Sequence, residues 1–154
     1  MKKGFTLVEV LVAMALMMTL TVGLIGLTQL SVRAGAVSRI RVKAMARLNE
    51  TMEATLAVRA SNFGSLNEGV YHPEIVEGKW ALVNGTEILG EVERWVEINK
   101  VQRELACGGE RVCSIVESGG VVDPVTFKAI AVVVWQEQRE DQREELESIL
   151  TFWR

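Results

Sequence analysis

Residues 2–32 read KKGFTLVEVLVAMALMMTLTVGLIGLTQLSV, and their pattern decides how the rest of the chain is organised. Residues 10–32 contain no charged side chain, a run of 23 residues. A helix of that length spans a bilayer core of roughly 30 Å. The apolar stretch begins at Phe5, and Glu9 is the single charge inside it. Lys2, Lys3 and Gly4 stand before it. A cleaved secretory signal has the same basic start, and Ala13-Met14-Ala15 offers a small-residue cleavage site. Such a signal stops near that site, whereas this run continues well beyond it. An acidic residue within an apolar span costs about 3 kcal/mol unless it is neutralised. A plain signal anchor therefore accounts for the length but not for Glu9.

Outward from this stretch the composition changes. Between Ser31 and Ser61 there is no proline and one glycine, Gly35. Val37, Ile40, Ala44, Leu48, Met52 and Thr55 or Leu56 recur every three or four positions, the stripe of an amphipathic helix. Arg39, Arg41, Lys43, Arg47, Glu50 and Glu53 mostly take the other faces. The pattern predicts one nearly continuous helix over about 5–61, with Gly23 and Gly26 as weak points costing roughly 1 kcal/mol each against alanine. Beyond Asn62, Gly64, Asn67, Gly69 and Pro73 read as a loop. Asn84-Gly85 between Lys79–Val83 and Thr86–Val92 is a hairpin signal. Alternation over Glu91–Asn99, a short run Arg111–Glu117, the β-branched run Phe127–Gln136 and a last run Leu146–Trp153 predict further strands, with a charged turn over Glu137–Glu144. The expected fold is α+β: a long N-terminal helix laid on a C-terminal antiparallel sheet.

Charge divides along the same boundary. Residues 1–62 carry 8 basic and 3 acidic side chains, residues 63–154 carry 9 and 17. A basic stalk and an acidic head attract each other between copies. The whole-chain charge of −3 does not suggest a nucleic-acid binder.

The string Lys2-Lys3-Gly4-Phe5-Thr6-Leu7-Val8-Glu9-Val10 closely resembles the class III signal of type IV prepilins and type II secretion pseudopilins. The resemblance implies the type IV pilin fold. It implies cleavage by a prepilin peptidase between Gly4 and Phe5, with Lys2 and Lys3 as leader charge and N-methylation of the new terminal Phe5. It further implies that Glu9 pairs with the α-amine of a neighbouring subunit's Phe5 and sets the register of one helix on the next. The expected organisation is a leader (1–4), a membrane or filament-core half of the helix (5–30), an amphipathic half (31–62) and a β-rich head (63–154). Expected partners are the peptidase, other pilins or pseudopilins, an inner-membrane assembly platform and membrane lipid. Counting positive charges alone would leave the head in the cytoplasm, because Arg33, Arg39, Arg41, Lys43 and Arg47 outnumber Lys2 and Lys3. The family places the head in the periplasm, and the cysteines lean the same way. Many family members have a proline within the embedded helix where this chain has Gly26.

In the head, Cys107 and Cys113 flank Gly108-Gly109. A disulfide is the expected state in an oxidising compartment, with free thiols as the other reading. A metal site needs four ligands, and His72 is the sole histidine. Neither a metal nor a cofactor is expected, and His72, ahead of Pro73, reads as a solvent-facing loop residue. With Asp123 and Asp141 the only aspartates, no calcium loop is visible. Asn84-Gly85-Thr86 is formally a glycosylation sequon that the turn explains better. Trp80, Trp95, Trp135 and Trp153 fall in predicted strands and suit sheet packing better than base stacking, since the head is acidic. Gln136–Glu147, with eight charges, reads as a solvated hairpin tip, or as a contact surface for an adjoining subunit.

The strand ending in Trp135, the polar turn and the final strand resemble minor pilins of the PilV type. Type II secretion or competence pseudopilins are the alternative, and a signal-anchored periplasmic binding protein is the reading from another class. On the first two readings the chain is a substrate of an enzyme, not an enzyme. Gly4→Leu is expected to block processing because the peptidase must enter that bond past a small residue. Immunoblots that still show the shortened form would remove this role for Gly4.

Overall fold

The computed structural model describes residues 6–104, 114–137 and 139–152. Lys2, Lys3, Gly4, Phe5, Cys107, Cys113 and Trp153, named above, lie outside the described residues. The chain separates into two compact units, Met1–Arg39 and Ile40–Arg154. Helix α1 runs over Leu7–Asn62. The first unit contains its apolar part, and the second contains the part that covers a sheet.

In the second unit a 3₁₀ turn (Phe63–Ser65) leads to seven strands: β1 Gly69–Val76, β2 Lys79–Asn84, β3 Glu87–Leu89, β4 Val92–Arg103, β5 Ile115–Val116, β6 Val121–Glu137 and β7 Glu140–Thr151. The sheet order is β2-β1-β4-β6-β7, with β3 and β5 also paired to β4, and every pairing is antiparallel. Alternation in β4 points Val92, Arg94, Val96 and Ile98 to the helix side, where they are buried. Their partners across β6 are Trp135, Val133, Ala131 and Ala129. Ala44, Leu48 and Met52 pack on Val92, Ala131, Val133 and Trp135. Val58 and Leu66 pack with Val96, Ile98, Phe127, Ala129 and Leu150. The predicted stripe therefore holds from Ile40 onward and extends through Thr51, Ala54 and Val58. Alanines on both layers bring backbones close. Thr51 and Thr55 are tolerated in the core because each hydroxyl donates back to the carbonyl four residues earlier.

Arg94 sits in an otherwise apolar row and is 4% exposed. Burial of a guanidinium is tolerated only with carboxylates at hand. Its Nε and Nη2 each lie 2.7 Å from Glu87 Oε2 on β3. Its Nη1 is 3.2 Å from Glu50 Oε1 on α1, without the alignment of a hydrogen bond. Arg47 also pairs with Glu50. One cation thus joins helix, β3 and β4.

Several expectations are corrected. The first hairpin does not turn at Asn84-Gly85. It turns at Glu77-Gly78, where φ is 52° and 77°, the positive pair that a type I′ turn needs. Asn84-Gly85 instead ends β2, and the Gly85 N–H donates to the Val70 carbonyl. The segment containing His72 and Pro73 is a strand, not a loop. The β4 pairing of β1 ends at Tyr71, so Pro73, itself buried, faces a ladder on one side only. His72 is half-buried rather than solvent-facing. Strand β6 begins six residues before Phe127. Asp123–Thr126 bulge opposite Val101, which accommodates Pro124. Finally, most of Glu137–Glu144 is strand: Arg139, φ 74°, turns the chain and β7 starts at Glu140. Within the described part of Arg111–Glu117 only Ile115–Val116 is strand.

Three carboxyl groups are held below their ordinary range. For Glu137 the hydrogen bond from Arg41 dominates, with Nε at 2.8 Å. For Asp123 and Glu50 burial pushes upward and is outweighed: for Asp123 by hydrogen bonds from Arg103, the Val125 N–H and Thr126, and for Glu50 by the hydrogen bond from Arg47 together with the nearby charge of Arg94. Their folded values lie below their unfolded ones, so this stabilisation is complete above the unfolded pKa of about 4 and is lost as pH falls through the folded values. The urea midpoint of the full chain in detergent is expected to decline as pH drops from about 5 to about 3. A midpoint that stays level over that window would remove these pairs from the stability of the head.

Candidate assembly helix and N-terminal signal

Local chemistry sets where α1 begins. Thr6 precedes the helix, and its Oγ1 accepts from the Glu9 N–H at 3.3 Å, while its carbonyl accepts from the N–H groups of Glu9 and Val10. This is an N-cap, and Thr6-x-x-Glu9 is the spacing of a capping box. That signal was legible in the sequence and adds Thr6 to the candidate residues. Glu9 falls in the first helical turn, where the positive end of the helix favours an acid. Its carboxylate makes no ion pair or hydrogen bond among the described residues.

From Leu7 to Val32 every residue is exposed, with Leu7 at 78% and Met17 at 70%. The threonine hydroxyls in this span are satisfied within it. Thr19 donates to the Leu16 carbonyl, Thr21 to Met17, and Thr28 to Leu24 and Ile25. Backbone and hydroxyl groups so closed on themselves suit a medium that offers no hydrogen bonds. The helix continues through Gly23 and Gly26, and nothing of the protein lies within 4 Å of a Cβ built at either. It is long and apolar enough to cross a membrane, the one such helix among the described residues.

An apolar rod bare on all sides, with one acid in its first turn, is what a helix looks like when lipid or other helices supply its surroundings. Residues 1–25 match the family model for the prokaryotic N-terminal methylation motif. The N-terminal segment is a prepilin-type class III signal. No curated protein and no solved structure matches the chain. Together, signal and helix support a pilin-like or pseudopilin-like subunit and suggest a single-pass membrane anchor, and the motif implies processing by prepilin peptidase and assembly with other pilins. The helix on an antiparallel sheet agrees with the type IV pilin fold.

The head places its other candidate residues apart from one another. His72 is in β1, with Nδ1 buried and unpartnered among the described residues. Trp135 is in the core, and Trp95 is half-buried on the opposite sheet face beneath Arg143, whose guanidinium carbon is 5.5 Å from the ring centroid. Trp80 borders a cavity of about 280 Å³ with Val58, Leu66, Tyr71, Leu82 and Ile98. Asp123 is committed to Arg103 at 2.6 Å.

Glu9→Ala is expected to stay in the membrane pellet after alkaline carbonate extraction, since it removes a charge from the apolar span. Leu20→Arg, mid-span, adds about 3 kcal/mol to insertion and is expected to shift chain out of that pellet. Equal retention of wild type and Leu20→Arg would argue that this helix is not the anchor.

Proposed function

We propose that this chain is a structural subunit of a type IV pilus, of the minor-pilin kind, held in the inner membrane with its head in the periplasm until it enters the filament. The observation that carries the reading is Glu9, the single charge on an exposed apolar helix, its own backbone N–H already capped by Thr6. Cleavage after Gly4 removes Lys2 and Lys3 and leaves Phe5 with a free α-amine. That amine on a neighbouring subunit meets the Glu9 carboxylate among apolar helices. Each charge removes the cost of burying the other, and the helices stop at one axial offset.

On this reading residues 1–4 are the leader, 5–30 the filament-core half of α1, 31–62 its head-bearing half and 63–154 the head. The oxidising periplasm pairs Cys107 with Cys113, closing a loop short enough to contribute roughly 2 kcal/mol. The chain acts by packing, and the chemistry done on it belongs to the peptidase and methylating enzyme.

Peptide mass spectrometry on sheared surface filaments tests the proposal. The expected result is a peptide beginning at N-methylated Phe5 in the filament fraction, lost from that fraction in Glu9→Ala while the mutant persists in membranes. The methylated peptide in membranes alone would replace the pilus with a secretion or DNA-uptake pseudopilin. Chains that keep Lys2 or Lys3 would overturn processing, and normal incorporation of Glu9→Ala would overturn the register role.

A further inference from the structure

One strip of the sheet lacks a cover. A helix about 10 Å across spans roughly two strands spaced 4.8 Å apart, and α1 covers β4, β6 and, at Leu150, the end of β7. Strand β7 continues the same face beyond β6. Along it, Val133 is opposite Glu144 and Ala131 is opposite Leu146. Both partners in β6 are buried, whereas Glu144 is exposed and Leu146 is 36% exposed. Over residues 140–146 the strip therefore lies in the helix layer with no helix on it.

Its charge is one-sided. Glu140 and Glu144, on this face, form no ion pair among the described residues, although the chain's own Arg41 lies near enough to Glu144 to feel its charge; Asp141, Glu145 and Glu147 lie on the opposite face, the last two engaged by Arg143 and Lys128. The same chain carries the complement. Residues 33–47 hold Arg33, Arg39, Arg41, Lys43 and Arg47 and no acid. Arg41 and Arg47 are paired within the head, whereas Lys43 has no ion-pair partner among the described residues. Beside Lys43, Val42 is 66% exposed, a large apolar side chain on the part of α1 that carries the head.

We propose that the β7 strip is a docking site for the basic segment 33–47 of a second copy's α1. Val42 of that copy meets Leu146, and its Lys43 meets Glu144 and Glu140. The strip and the segment are different surfaces, so the contact is head-to-tail. Repeated, it adds copies in one direction instead of closing a pair, as an open filament requires. The inference rests on the filament reading in one respect, that copies stand parallel in one membrane.

Zero-length carbodiimide coupling joins a lysine amine to a carboxylate in contact with it. An equal mixture of ¹⁴N- and ¹⁵N-labelled full-length chains in phosphatidylethanolamine–phosphatidylglycerol vesicles is the sample. The expected products are Lys43 linked to Glu140 or Glu144 with one light and one heavy peptide, in a yield that falls with added salt. Glu144→Lys is expected to lower that yield severalfold, and Glu144→Lys with Lys43→Glu to form the reversed link in mixed-label pairs. Links within one label only, links from Lys43 to other acids, or none would overturn the docking site. These outcomes are separate from the fate of Phe5: absence of the chain from sheared filaments would defeat the filament reading, and unmixed labels would defeat the strip alone.

Discussion

A helix has to match whatever surrounds it, and α1 carries two incompatible surfaces in one element. Up to Val32 its side chains are apolar in every direction and none is covered by the protein. From Ile40 the apolar residues narrow to one stripe, and that stripe is buried on a sheet. A uniformly apolar cylinder has no reason to stay in water, where each large side chain left bare forgoes roughly 1.5–3 kcal/mol of burial. A striped cylinder has no reason to enter lipid, where its charged faces are costly. The anchor and the head follow from that change of pattern.

The head adjusts to the helix it accepts. Ala44 and Ala54 on α1, and Ala129 and Ala131 on β6, have no exposed surface. Such small residues permit close approach, and Leu48, Met52, Phe127 and Trp135 fill the space around them. Arg94 is the exception in this apolar layer. Replacing such a cation with an apolar residue is often neutral, but removing one of its carboxylates leaves a charge uncompensated. Its value is geometric: Glu50 on α1 and Glu87 on β3 meet one guanidinium, which holds the helix to the β3–β4 hairpin.

Patterns with a single solution were legible in the residues. The helix and its stripe, the β4 alternation and the apolar run of β6 each fit one element type. Turn chemistry was not decisive. Asn84-Gly85 and Glu77-Gly78 both suit a tight turn, and the choice belongs to β1, which pairs β2 through one of its edges and β4 through the other. That strand was hidden because a proline opposes a central ladder, and only the register shows that the β1–β4 pairing stops at Tyr71, beyond which β4 pairs β3 instead. The charged run after Gln136 looked like a turn because edge strands carry charge to discourage pairing with other chains. At the N-terminus the signal itself was plain, but Thr6 was read as part of the motif and not as the cap of α1.

The helix cap clarifies what Glu9 is for. In water, an acid in a first turn is adequately accounted for by the helix dipole. Here Thr6 already serves the backbone donor, and the carboxylate is left unspent on a surface made mostly of Leu, Val, Met and Ala. Between two such surfaces packing alone fixes axial offset weakly, since any shift that restores ridge against groove gives a comparable contact. One charged group removes that degeneracy: an offset that leaves it without a cation buries an unpaired ion, and an offset that supplies one does not. A polar group at one buried helix position is used in this way to set register, at a cost in stability. On the proposed reading, the N-terminal amine created by cleavage is a cation on the same end of the next helix, present only after processing. Uncleaved chains would then be apolar enough to remain in the membrane but would lack the partner that selects an offset, and one peptide bond would separate anchoring from assembly.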